Sequence, residues 1–84
     1  MKSIDDTKIR INGPEQSKII QEILFDLGWD WTSRDRRVKY TTLPFIFINS
    51  HRKELSYTTD KKYFMRHVFK EIRIEDLIGN YEIY

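Results

Sequence analysis

The stretch Thr7-Lys8-Ile9-Arg10-Ile11-Asn12-Gly13-Pro14-Glu15-Gln16-Ser17-Lys18-Ile19-Ile20-Gln21-Glu22-Ile23-Leu24-Phe25-Asp26-Leu27-Gly28-Trp29 changes its hydrophobic period partway along. Before Gly13, Ile9 and Ile11 alternate with Lys8, Arg10 and Asn12, the period of a half-buried strand from about Thr7 to Asn12. After it, Ile19, Ile20, Ile23, Leu24 and Leu27 fall on one face of a helical repeat. Pro14 suits the first helical position, where its missing N–H costs nothing, and Glu15 suits the positive end of the helix dipole. Gly28 stands where a helix ends in a left-handed residue, which sets Trp29 near Leu24. A helix is therefore expected from Pro14 to Leu27.

Downstream, Trp29 to Arg37 has no sustained periodicity and reads as a connection carrying two anchored indoles, Trp29 and Trp31. Val38 and Tyr40 alternate with Arg37, Lys39 and Thr41 as a strand. Phe45-Ile46-Phe47-Ile48 is unbroken apolar chain, as in a strand covered on both faces. Asn49 to Lys53 is a polar turn, and Leu55 and Tyr57 alternate with Glu54, Ser56 and Thr58. Residues 38 to 58 thus read as an antiparallel meander. Thr59-Asp60 caps a short helix from Lys61 to about Arg66, Ile72 and Ile74 mark a last strand, and Glu75 to Ile78 form one helical turn ended by Gly79. The expected fold is a single α+β domain over residues 1–84, in the order β-α-β-β-β-short helix-β. One main helix packs on an antiparallel sheet of about four to five strands.

A chain of 84 residues hides only about 60 to 65% of its unfolded surface, so its core is small. With no cysteine, no disulfide supports it, and twelve aromatic residues supply much of the buried area. The N-terminal stretch has no apolar segment of the signal type, and the longest apolar run is Phe45 to Ile48. This gives an expectation of a soluble, cytoplasmic protein with no membrane partner. The net charge of +2 conceals a division. Residues 34 to 73 hold eleven Lys and Arg against four acids, while the segments before and after are net acidic. A basic middle points to RNA or another polyanion.

Within it, Arg34, Arg36, Arg37 and Lys39 form the densest basic run, with Trp31 just before and Tyr40 just after. Such a surface combines phosphate neutralisation with base stacking, the two components of sequence-tolerant single-strand binding. The plain structural alternative is a solvated strand edge above core tryptophans. Arg52, Lys53, Lys61, Lys62 and Arg66 form a second basic set, which the sequence leaves either beside the first or on another face. Phe25 breaks the helix pattern, on the side of Lys18, Gln21 and Glu22. It is either covered by the Trp29–Arg37 connection or, with Tyr81 and Tyr84 of the tail, an anchor for a partner protein. No metal or cofactor is expected. His51 and His67 are far apart in sequence, no cysteine exists, and the three glycines sit at helix boundaries instead of in a phosphate loop. A general acid–base role for a histidine is the one catalytic reading the composition admits. With no nucleophile elbow or comparable motif, no catalytic residues are assigned and the chain is not read as an enzyme.

Four blocks together resemble small accessory proteins of large T4-like tailed phages: Ile11 to Ser17, Gln21 to Trp31, Pro44 to Ile48, and Lys70 to Leu77. They cover roughly half the chain and look like fold markers. The resemblance implies an early protein of host takeover or anti-defence, acting in the host cytoplasm on a host or defence protein. It also implies an antitoxin-like inhibitor of an RNA-cleaving toxin as one such role. Three functions follow as expectations: an RNA-binding inhibitor of a host ribonuclease or defence factor, a purely protein-binding inhibitor, and a sponge that encloses small signalling nucleotides at a homodimer interface.

Overall fold

The apolar run at Phe45 forms the middle strand of a five-stranded sheet in a computed structural model that describes residues 4–82. In chain order the elements are β1 (Thr7–Arg10), α1 (Pro14–Asp26), β2 (Asp30–Trp31), β3 (Phe45–Asn49), β4 (Glu54–Thr58), α2 (Lys61–Arg66), β5 (Lys70–Ile72) and α3 (Ile74–Glu82). A turn at His51–Lys53 joins β3 to β4. The fold is α+β. No helix among the described residues is long and apolar enough to cross a membrane.

The strands lie in the order β2-β4-β3-β1-β5, and the sheet is mixed where the sequence predicts an antiparallel one. β3 pairs antiparallel with β1 and β4, while the β1–β5 and β2–β4 pairs are parallel, so β3 alone runs against the other four. The helices are the reason. α1 carries the chain from β1 past β3 and β4 to β2, and α2 carries it from β4 past β3 and β1 to β5. A crossover of this kind returns the next strand parallel to the first. The two run in opposite directions over opposite faces, and so have the same hand.

Alternation along β3 then serves two cores. Ile46 and Ile48 join Ile9, Leu55, Ile20 and Leu24 under α1, with Leu77 of α3 in the same cluster. Phe45 and Phe47 pack with Phe64 of α2 on the other side. Phe64 is fully buried and stacks on Phe45 at 4.3 Å and 19°. Burial of a ring of that size contributes about 1.5–3 kcal/mol. Because the second face is covered, Lys8 is buried as well. Its Nζ donates to the main-chain oxygens of Phe64 and, at 2.9 Å, of His67, where α2 ends. A cation there meets the negative end of a helix, where main-chain carbonyls lack their full set of intrahelical partners.

The ends of α1 and α2 follow the sequence closely. Gly28 has φ 105, Trp29 N–H bonds to the oxygen of Leu24 at 2.9 Å and Gly28 N–H to that of Phe25 at 3.1 Å. These are the two bonds of a Schellman motif. Asp60 caps α2 through the N–H groups of Lys62 and Tyr63. Elsewhere the expected boundaries move. The first strand ends at Arg10, and Asp30–Trp31 is a strand inside the expected connection. Residues 38–41 are no strand, because the main chain of Lys39 pairs with a side chain of α1. Ile74 opens α3, capped where Asp76 Oδ2 accepts Arg73 N–H, and that helix continues through Gly79.

Candidate nucleic-acid interface

One stripe of α1 positions the site. Ser17, Gln21 and Phe25, one turn apart, are all buried, on the side of α1 where the sequence expects solvent around Gln21 and leaves Phe25 either covered or exposed. The Gln21 amide donates to the carbonyl of Lys39 at 2.7 Å and accepts from its N–H at 3.0 Å, as a neighbouring strand would. That clamp fixes the connection on the helix and turns the next residue, Tyr40, outward at φ 56. The connection is held at its other end by Ile11 N–H on the oxygen of Pro44 at 2.8 Å.

Phe25 is 7% exposed and lies in the main core, so its ring is covered and presents no surface anchor. Tyr84 lies outside the described residues, as does the side chain of Tyr81. Trp31 is 3% exposed, opposite Leu55 in the β2–β4 pair, so its faces are also closed to a stacking partner. The rings that reach solvent at this edge are Tyr40 and Tyr57, each 46% exposed, with centroids 5.0 Å apart and planes 35° from parallel. Both pack edge-on against Trp31, at 5.4 and 6.2 Å. Sequence reasoning missed Tyr57 because it reads as an ordinary strand residue. Its alternation with Leu55 at the sheet edge, opposite the basic run, was the available signal.

The basic residues divide. Arg34 leaves the turn that Trp31 opens and donates to the oxygen of Arg52 at 2.9 Å, which joins the 34–39 run to Arg52 and Lys53. Lys61, Lys62 and Arg66 belong to α2, on the opposite face of the sheet, and do not share this surface. Acids temper the joined group. Arg34 pairs with Asp30 at 3.4 Å and Glu54 at 3.6 Å, and Arg37 and Lys39 share Asp35 at 3.3 and 3.1 Å. The backbone N–H of Arg37, then its guanidinium and the Lys39 ammonium, hold the Asp35 carboxyl down at about 2. Ion pairs screened by solvent at an exposed surface are weak, so a phosphate can replace the carboxylate partner. Among the described residues, Arg36, Arg52 and Lys53 enter no ion pair; Lys53 Nζ rests 4.0 Å from the centroid of the Trp29 ring.

Backbone strain collects at the same edge. Among the described residues five non-glycine residues have positive φ, and four of them are Arg34, Tyr40, Arg52 and Lys53; the fifth, Asp6, accepts from Ser50 N–H and Oγ at 2.9 Å, which ties down the turn before Arg52. The left-handed region disfavours side chains of this size, and its occupancy concentrates at functional surfaces. Chemically, the edge offers flat rings, ammonium and guanidinium groups and main-chain donors. No group of acids and histidines that could hold a metal ion is found among the described residues. His67 Nδ1 accepts Phe69 N–H at 3.2 Å on the opposite face, away from this edge. Comparison with known proteins gives no match: no family model fits the chain, and neither a curated protein nor a solved structure matches it.

Proposed function

We propose that the protein binds single-stranded RNA along the edge formed by β2, β4 and the 32–44 connection. The observation that carries this reading is the half-exposed Tyr40–Tyr57 pair beside Lys39, with Arg34, Arg36, Arg37, Arg52 and Lys53 around it. Tyrosine faces accept any base by stacking, and the cations follow the phosphates. In the phage setting that the sequence resemblance implies, such binding serves inhibition of a host ribonuclease or defence factor by occupying its RNA. The test is fluorescence anisotropy with a labelled single strand of about twenty nucleotides and a matching DNA duplex, from about 50 to about 300 mM salt. Some four phosphate contacts give a log–log salt slope of about −3 for the single strand. An Arg36→Ala/Arg37→Ala variant with unchanged circular dichroism should lower that slope by about 1.4. Absence of binding at the lowest salt would end the RNA reading.

A protein-binding reading draws support from the other face. Tyr63 and Met65 of α2 and Val68 just after it are exposed, Val68 at 92%, in the segment that also carries Lys61, Lys62 and Arg66. A segment of this kind fits a partner that is apolar and acidic at once. A host protein whose capture survives the Arg36→Ala/Arg37→Ala change and is lost in Val68→Arg would favour this reading over RNA.

A further inference from the structure

Beneath the tyrosine pair lies a cavity of about 230 Å³, lined by Trp31, Ser33, Lys39, Tyr40, Leu55 and Tyr57 among others. Two donors on the residues around it go beyond sequence-tolerant stacking. Trp31 Nε1 is buried and has no hydrogen-bond partner, the one such side-chain atom among the described residues. Buried donors are nearly always paired, so an unpaired one asks for an explanation. Lys39 places its ammonium at the rim, 5.5 Å from the centroid of the Tyr40 ring. An indole N–H and an ammonium only donate; neither can accept.

Resting on the single-strand reading above, we propose that this cavity receives one base of the bound strand and prefers uracil or guanine to adenine. Uracil brings two carbonyl oxygens to the two donors, and guanine brings O6 and the N7 acceptor. Adenine brings an exocyclic amine, which leaves one of them facing another donor. The ring that must give way is Tyr40, which closes over Trp31 edge-on at 89°. Its main chain is fixed on both sides, by the Gln21 clamp on Lys39 and by Leu43 N–H on the Tyr40 oxygen at 3.0 Å. Opening is therefore a side-chain rotation, after which Tyr40 stacks on the base that has replaced it against Trp31.

The experiment compares oligo(U) with oligo(A) of equal length on the wild-type protein and on Trp31→Phe, which keeps an aromatic ring and removes the donor. The wild type should bind oligo(U) about tenfold more tightly, the discrimination of one good hydrogen bond. In Trp31→Phe the ratio should fall to about twofold or less. Equal wild-type affinity for the two strands would overturn the base preference and leave single-strand binding standing. A ratio that survives Trp31→Phe would overturn the role of the indole. No binding to either strand would remove both proposals together. Should Trp31→Phe fail to fold, the indole N–H resonance of Trp31 in the wild-type protein decides. It should move downfield with oligo(U) and stay in place with oligo(A); a resonance unmoved by both overturns the proposal.

Discussion

Trp29 and Trp31 are two residues apart and equally buried, yet their indoles are treated differently. Trp29 Nε1 donates to the oxygen of Asn49 at 3.0 Å, with Lys53 over the ring. It is seated by the Schellman turn that ends α1, and its own N–H is paired. Trp31 Nε1 has no partner and is covered by two half-exposed tyrosines. The first indole closes the helix on the sheet; the second is kept below a surface and short of a hydrogen bond. A fold that pairs one indole and leaves its neighbour unpaired separates a site of stability from the site proposed for binding.

The sharpest way to break the comparison is to take the N–H from each. Trp29→Phe leaves the Asn49 carbonyl without its donor, whereas Trp31→Phe removes a donor that was never paired. Both changes reduce ring volume, so the difference between them isolates the hydrogen bond. Trp29→Phe should cost about 1–3 kcal/mol more than Trp31→Phe. In thermal unfolding that is a gap of about 4 °C or more between the two variants. Equal losses would mean that Trp31 Nε1 is satisfied in solution.

What the sequence disclosed about this contrast depended on distance along the chain. The Trp29 seat was legible because Gly28, Leu24 and Trp29 are neighbours and their spacing is that of a helix end. The two-sided burial of Phe45 to Ile48 and the Asp60 cap were legible for the same reason. Lys8 was not, since its acceptors are main-chain carbonyls 56 and 59 residues away. Nor was Gln21, whose amide binds the main chain of Lys39, because a glutamine on a helix reads as solvated until something covers it. That missed clamp made residues 38–41 look like a strand and hid the outward turn of Tyr40. Strand direction escaped as well. Alternation fixes which face a residue takes, but parallel or antiparallel pairing is decided by where the crossovers of α1 and α2 land.

A second way to sharpen the comparison uses the strained rim. Arg52 sits at φ 61 with its side chain exposed, and its carbonyl, which receives Arg34, is retained by any residue placed there. Arg52→Gly relieves the left-handed strain and should stabilise the protein by up to about 1 kcal/mol. The same change removes one phosphate contact, which should reduce the RNA salt slope by about 0.7. Urea unfolding and the salt titration read the two effects separately. A variant that is less stable, or one that keeps the full slope, would show that strain at this rim has no tie to binding.

The smallest effect on stability is expected at Asp35, where the basic run holds its own counterion. Its carboxyl ionises at about 2 in the folded protein against an ordinary 3.8. A folded value below the unfolded one means that the linked stabilisation is complete above about 3.8 and fades as pH falls toward 2. Asp35→Asn should remove that acid-side slope. Asparagine keeps an oxygen for the Arg37 N–H, so the turn is retained while Arg37 and Lys39 lose their shared anion. With two cations released, RNA binding at low salt should tighten by a few-fold, and the salt slope should steepen by about 0.7 to 1.4. The Trp29 side is untouched by this change. Weaker RNA binding in a folded Asp35→Asn protein would mean that the carboxylate orients its two cations for phosphate instead of competing with it.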